Sequence, residues 1–330
     1  MAVIPQLALL TLLAQPQPAA EELFQRGLLL LRDNDAKGAR EALENVVLRT
    51  PEAPLAWLAL ADARLRTGDA EGALAAERQA ARLAPEDPAV RQARAMFHTR
   101  VAASLKTPRQ AAPHWRQAIR LDPLRLDYHV RYARFLLDHG AEKAAEAALR
   151  EAVKSFAPHP ELQRLLGLSL YAQGETEAAL DAFLKAIDLA PDEEGLYASL
   201  ETLLPPPAPR LAEVRERIER YEARQPGQPL APYLLALCSG PDSREALLRK
   251  ALSIDATFWP ALFELHKVHQ ERGEGAEGRR LLEEVVRLHP GYPPAWYALA
   301  QAYAAAGERD KARRARARHH ELTAAAPARP

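Results

Sequence analysis

The stretch YAQGETEAALDAFLKAIDLAP, residues 171–191, places Gly174, Ala179, Ala186 and Pro191 at offsets of 0, +5, +12 and +17. The stretch between them has the character of a short amphipathic helix, opening after a glycine and closing before a proline. Glycine adopts positive φ at little cost, so Gly174 suits a tight turn between two helices. Proline lacks an amide donor and disfavours helix in the residue before it, so Pro191 marks a stop. The small residues thin the helices where they cross and let their axes approach. The stretch therefore reads as a turn, a packing helix and its terminator.

The same frame recurs along the chain. Around Gly68 stand Trp57, Ala61, Ala73, Ala80 and Pro85, around Gly140 stand Ala133, Ala145 and Ala152, and around Gly307 stand Trp296, Ala300 and Ala312. Asn34 replaces the glycine in the first copy, flanked by Gly27, Ala39 and Pro51, while Gly273 leads to Gly278 and Pro290. The anchors at 34, 68, 140, 174, 273 and 307 differ by 34, 72, 34, 99 and 34 residues. The longer gaps are two periods plus four and three periods minus three, so the period is 34.

This pattern resembles the tetratricopeptide repeat family. The residues that carry the resemblance are Trp57, Leu60, Ala61, Gly68, Ala73, Ala80 and Pro85, then Leu166, Gly167, Gly174, Ala179, Phe183, Ala186 and Pro191, then Trp296, Leu299, Ala300, Tyr303, Gly307 and Ala312. It implies an all-α fold, an α-α superhelix (a tetratricopeptide solenoid) of about nine helix-turn-helix units. They are expected near 20–53, 54–87, 88–125, 126–159, 160–193, 194–228, 229–258, 259–292 and 293–323, with a disordered tail over 324–330. Three units depart from the pattern. The third absorbs four extra residues, expected as one added turn in its first helix, and places Pro108 and Pro113 in its second. The sixth replaces its turn with PPPAP at 205–209, and the seventh is short, so the array is expected to bend or loosen across 200–245.

Composition narrows the function classes. Lysine plus arginine total 44, equal to aspartate plus glutamate, so no global field draws the chain to nucleic acid or an anionic membrane, and no nucleic-acid partner is expected. The only cysteine, Cys238, rules out intramolecular disulfides and thiolate metal clusters, and LLALCSG around it reads as the end of a packed helix. Residues 1–20 contain an apolar run, Val3 to Ala14, with the length of a signal-peptide hydrophobic region and too short to span a bilayer. No basic residue precedes the run, and the other reading is a helix capping the first repeat. Cleavage would make the protein periplasmic or secreted, and otherwise it is cytoplasmic. The richness in alanine, arginine and proline suggests a GC-rich bacterial genome.

Candidate chemistry is sparse. GEGAEG at 273–278 matches a dinucleotide fingerprint in form, but a helix precedes it and Glu274 and Glu277 would repel phosphate, so it reads as a repeat turn. His266 and His269 lie three apart without a third metal ligand, and the adjacent His319 and His320 point to different sides of a helix. The chain carries no P-loop or G-x-S-x-G motif. No catalytic residue, metal or cofactor is expected. KARRARARHH, residues 311–320, reads as a polar face that keeps a terminal repeat soluble.

In tetratricopeptide arrays the first helices line a concave groove. By that resemblance Met96, Phe97, Arg100, Val130, Arg131, Arg134, Arg164, Leu168 and Tyr171 are expected to face inward as a groove for a partner. Apolar surface interleaved with guanidinium groups suits a protein or peptide segment carrying carboxylates. Some members of the family grip a terminal carboxylate with lysine and asparagine. The two asparagines here, Asn34 and Asn45, lie off the inner positions, so that mode is not expected. The reading is a non-catalytic scaffold that binds polypeptide segments. Its alternatives are an exported assembly or secretion factor of the bacterial envelope and a ligand-binding, enzyme-associated module, with a pocket where the degenerate units disturb the groove.

Overall fold

The computed structural model describes residues 19–204 and 210–325. The apolar run of the leader and the PPPAP segment lie outside the described residues. Among the described residues the chain forms eighteen α-helices and no strand, which is nine consecutive pairs. By its contacts the chain divides into two compact units, Met1–Phe135 and Leu136–Pro330.

The first unit contains α1 (Ala20–Arg32), α2 (Ala36–Arg49), α3 (Pro54–Arg66), α4 (Ala70–Leu83), α5 (Pro88–Ser104) and α6 (Pro108–Leu121). The division falls within α7 (Leu126–Asp138). The second unit contains α8 (Glu142–Ser155), α9 (Pro160–Ala172), α10 (Thr176–Leu189), α11 (Glu194–Ala198), a 3-10 turn at Glu201–Leu203, α12 (Leu211–Arg224), α13 (Leu230–Leu237) and α14 (Pro241–Ile254). It closes with α15 (Trp259–Glu271), α16 (Gly275–Leu288), α17 (Pro293–Ala305) and α18 (Arg309–Ala325). α18 therefore runs two residues into the stretch expected as tail.

The six anchors of the period all have left-handed backbone. Gly68, Gly140, Gly174, Gly273 and Gly307 have φ between 66° and 86°, and Asn34 has 63°. After each anchor the next amide reaches back five residues to close the first helix, as in Asp69 N to Arg64 O at 2.9 Å and Glu175 N to Leu170 O at 3.0 Å. A Cβ built on Gly174 meets nothing within 4 Å, so backbone conformation and not crowding requires glycine there.

Crowding governs the crossing points instead. A Cβ on Gly27 would lie 2.7 Å from Leu43, and one on Gly167 would lie 2.5 Å from the Phe183 ring. Ala39, Ala61, Ala73, Ala133, Ala145 and Ala179 are fully buried. These positions carry the helix crossings, and the large partners Leu43 and Phe183 fill the space that the small residues leave.

A bond invisible in the period joins successive pairs. Six residues after a helix-ending proline, an aromatic side chain takes that proline's carbonyl. Trp57 Nε1 donates to Pro51 O at 2.8 Å, Tyr197 OH to Pro191 O at 3.0 Å and Trp296 Nε1 to Pro290 O at 2.8 Å, while His129 Nε2 lies 3.1 Å from Pro123 O. The proline stop is thus tied to the next first helix.

The departures fall at the expected places. α5 is 17 residues long against 13 for α3, one added turn, and α6 opens on Pro108 and accommodates Pro113 within it. In the sixth pair α11 has only five residues, and in the seventh α13 has eight. The described residues of 200–245, where the array is expected to bend or loosen, contribute to a shared core. Leu196, Tyr197, Leu203, Ile218, Tyr221 and Leu234 are buried in one core, and Tyr197 stacks on Tyr221 with centroids 4.3 Å apart. Larger leucine and tyrosine side chains fill the space that shortened helices leave. Cys238 lies in this core, where burial pushes its thiol up to about 11.

Two predictions follow from packing. Gly167→Ala should lower the free energy of unfolding by about 1–3 kcal/mol, since Phe183 is fully buried and cannot swing away. Adding Phe183→Leu should recover part of that loss, and urea denaturation of the three variants measures it. The second concerns acid. Burial pushes the His266 imidazole down from 6.5 to about 4, so the folded chain keeps it neutral while the unfolded chain takes up a proton. Its contribution is complete above pH 6.5 and is lost as pH falls towards 4, roughly 2 kcal/mol of it by pH 5. Urea midpoints at pH 7 and 5 should therefore differ less in His266→Gln than in the parent chain.

Candidate functional site

The first helices of the first unit, α1, α3 and α5, pack side by side. They line a cleft of about 500 Å3. Its floor is apolar. Leu31, Leu58 and Phe97 are buried, whereas Leu28, Leu55 and Met96 keep 38%, 42% and 41% of their surface exposed. Exposed leucine and methionine concentrated in one concavity mark surface available to a partner.

Charge is added at one position per repeat. Arg32, Arg66 and Arg100 stand 34 residues apart, one on each of the three helices, and all three line the cleft. Asp62 of α3 sits among them, buried to 6% exposure. Arg66 Nη2 donates to Asp62 Oδ2 at 3.0 Å and its Nη1 to Leu31 O at 2.8 Å. Arg100 Nη1 lies 2.5 Å from Asp62 Oδ1, an ion pair without hydrogen-bond geometry, since that oxygen has no hydrogen-bond partner. Arg32 is 74% exposed and approaches Asp33 at 3.4 Å. Three guanidinium groups against one carboxylate leave the lining with a net charge of +2.

Of the nine residues expected in the groove, Met96, Phe97 and Arg100 line this cleft, with Phe97 as buried floor. Val130, Arg131 and Arg134 lie on α7 and do not line it. Arg131 sits over the Trp115 ring at 5.6 Å and pairs with Asp127 at 3.5 Å. Val130 is half-buried and Arg134 exposed. Arg164, Leu168 and Tyr171 belong to α9 of the second unit, where Arg164 is held by both carboxylate oxygens of Glu161 at 2.8 and 2.9 Å. Leu168 packs on the core, and Tyr171 is 38% exposed. The sequence reading missed Arg32, Arg66 and Asp62. The 34-residue recurrence of arginine would have found the first two.

Beneath the cleft wall, α5 carries a buried polar relay. Glu77 of α4 accepts from Arg94 Nε at 2.7 Å and lies 3.4 Å from His98 Nε2, and His98 Nδ1 meets His114 Nδ1 of α6 at 3.1 Å. Burial opposes ionisation of Glu77, but its hydrogen bonds from His98 and Arg94 prevail and hold the carboxyl below its ordinary value. Burial, then the neighbouring His98, pushes the His114 imidazole down. Glu77 and His114 face opposite ring nitrogens of His98, so the three do not converge on one point. Among the described residues no group of three or more potential ligands is placed to hold a metal ion.

In the second unit a separate pocket of about 500 Å3 lies between α15, α16 and α17, lined by His266, Gln270, Gln301 and the alanines of α17. It falls in the eighth and ninth pairs and not in the degenerate ones. His266 Nδ1 contacts Phe263 O, while His269 Nδ1 lies 2.5 Å from Glu274 Oε2, so the two imidazoles have different partners. GEGAEG begins in the turn between α15 and α16 and runs into the first four residues of α16. On α18, Lys311, Arg313 and Arg318 pair with Glu308, Asp310 and Glu321. Among the described residues no helix is long and apolar enough to cross a membrane.

Comparison with known proteins agrees with this architecture. One family model described as tetratricopeptide repeat matches residues 24–88, 100–160 and 143–194, and a second with the same description matches 269–318. No curated protein sequence matches the chain. Among solved structures, yeast Tom70 is similar at 13% identity with a TM-score of 0.53, covering 93% of this chain and 86% of its own. The C-terminal part of a TPR repeat-containing protein from Cytophaga hutchinsonii is similar at 15% identity and a TM-score of 0.49, covering 84% and 99%. PilW, a type IV pilus biogenesis factor, is similar at 18% identity and a TM-score of 0.46, covering 62% and 94%. At 13% identity the likeness to Tom70 speaks for the fold alone. The family models together span most of the chain and fall on its helical hairpins, and the chain belongs to the tetratricopeptide repeat family.

Proposed function

We propose that the protein is a non-catalytic scaffold that binds partner polypeptide segments, and that the cleft on α1, α3 and α5 is where it does so. The observation that supports this most is the joining of exposed Leu28, Leu55 and Met96 with three arginines in one concavity. Apolar side chains of a partner supply burial, and guanidinium groups grip carboxylates in two-point contacts that water does not match. The partner is therefore an acidic segment. Family membership supports the coarser reading, since tetratricopeptide repeats bind proteins or peptides.

A second reading, export to the periplasm as an envelope assembly factor, is supported by the apolar run Val3 to Ala14 alone. Mass analysis of the protein's N-terminus in its native cell tests it, and an intact Met1 in exported protein refutes cleavage.

The scaffold reading is tested by photo-crosslinking. Benzoylphenylalanine in place of Met96, which is 41% exposed in the cleft, should give reproducible polypeptide adducts, and the same group in place of Leu48, 79% exposed on α2, should not. A co-purifying small molecule without a polypeptide adduct would favour the ligand-binding module instead.

A further inference from the structure

Charge balances over the whole chain, but it does not balance on α18. That helix carries five arginines and one lysine against one aspartate and one glutamate, a net charge of +4. It packs on α17, with Ala312 and Ala315 buried. Arg309, Arg313, Arg316 and His320 follow one another at intervals of four, three and four residues. On a helix those intervals set them in one row, with steps of about 4.5–6 Å along the axis. All four are exposed. Arg313 meets Asp310 at 2.9 Å, but both side chains are 82% exposed, so a competing anion displaces that pairing at little cost. Among the described residues Arg309 and Arg316 have no carboxylate partner.

Exposed rings adjoin one end of the row. Tyr297 of α17 is 54% exposed, and its ring centroid lies 5.5 Å from that of His319. The His319 ring lies 5.7 Å from that of the exposed His320. His319 Nδ1 is 3.1 Å from Pro293 O, which ties this end of α18 to the start of α17. A row of guanidinium groups therefore runs into a short series of aromatic rings, and both are open to a partner.

The chemistry of the two parts selects among anions. A helix that docks on an anionic bilayer joins its cations to large apolar side chains that enter the lipid. The exposed residues of 309–320 include no apolar side chain larger than that of Ala317. An acidic polypeptide would meet the guanidinium groups but leave the rings without a role. A single-stranded nucleic acid uses both, because its phosphates pair with arginine and its free bases lie on aromatic faces. A duplex keeps its bases stacked on one another and uses the cations alone.

We infer that the exposed side of α18 and Tyr297 together bind single-stranded nucleic acid, with Arg309, Arg313 and Arg316 along the phosphates and Tyr297 and His320 against bases. This surface lies in the second unit and is independent of the cleft on α1, α3 and α5.

The test uses the full chain and fluorescence anisotropy. One probe is a labelled oligodeoxyadenylate of about twelve nucleotides, and the other is an abasic strand of the same length and charge. The oligodeoxyadenylate should bind about fivefold or more tightly than the abasic strand. Three phosphate contacts predict that its affinity falls by about 20-fold between about 50 and 200 mM salt. Arg309→Glu with Arg316→Glu should weaken both probes by about tenfold or more, whereas Tyr297→Ala should weaken only the strand that has bases. These side chains are exposed, so the variants should keep the parent's circular dichroism, and Arg309→Gln with Arg316→Gln serves if charge reversal disturbs folding.

Absence of salt-sensitive binding, or unchanged binding in both arginine double variants, would overturn the proposal. Equal affinity for the two strands would overturn it by leaving only an unselective cationic surface. Sedimentation with phosphatidylglycerol vesicles at salt concentrations where the oligonucleotide does not bind would assign α18 to a membrane instead.

Discussion

The close crossing of two helices over a small residue is the constraint on which the rest of this molecule depends. Phe183 can be fully buried because Gly167 offers no Cβ, and Leu43 because Gly27 offers none. A hairpin closed in this way has a fixed thickness. In the first unit this closure lets α1, α3 and α5 lie side by side at the short interval of packed helices. The left-handed turn at Gly68, Gly140, Gly174, Gly273 and Gly307 reverses the chain within each hairpin. The proline carbonyl bonded by Trp57, Tyr197 or Trp296 holds one hairpin to the next.

That interval turns a repeat in sequence into a ladder in space. Arg32, Arg66 and Arg100 occupy one position in three successive first helices, so regular stacking is enough to align them along one cleft. Asp62 then makes the ladder uneven by holding Arg66 and one edge of Arg100. Ionic contacts on the surface are worth little singly, but a buried carboxylate that fixes two guanidinium groups would spare a partner part of the cost of ordering them. On the proposed reading the chemistry of this cleft is recognition, and the relay of Glu77, Arg94, His98 and His114 is a buried support for its α5 wall.

Much of the fold was legible because turn chemistry and crossing chemistry are local. A positive φ selects glycine or asparagine, a crowded crossing selects glycine or alanine, and both leave their mark at fixed offsets. The aromatic-to-proline bond was not legible, since Trp57, His129 and Tyr197 share a hydrogen-bonding nitrogen or oxygen and not a residue type. The compact core around Tyr197 and Tyr221 was hidden for a similar reason. Loss of the repeat signature indicates loss of hairpin geometry, but it carries no information about what larger side chains fill afterwards. The site was half legible. Met96 and Arg100 were reached from the resemblance, which sets the first helices along a groove, whereas Arg32 and Arg66 needed the period applied to charge as well as to small residues. Arg131 and Arg164 were placed in the groove by the same resemblance, and their contacts with Trp115 and Glu161 are side-chain pairings that no repeat period carries.

The most direct test of this account is the distance between α1 and α5 in solution, measured by double electron–electron resonance with nitroxides in place of Leu28 and Met96. The account predicts one narrow distribution near ~2 nm, two helix spacings, which lengthens or broadens when Ala61, fully buried beside Phe97, becomes leucine. A broad distribution in the parent chain, or a distribution that Ala61→Leu leaves unchanged, would contradict the claim that small residues set the spacing of the ladder.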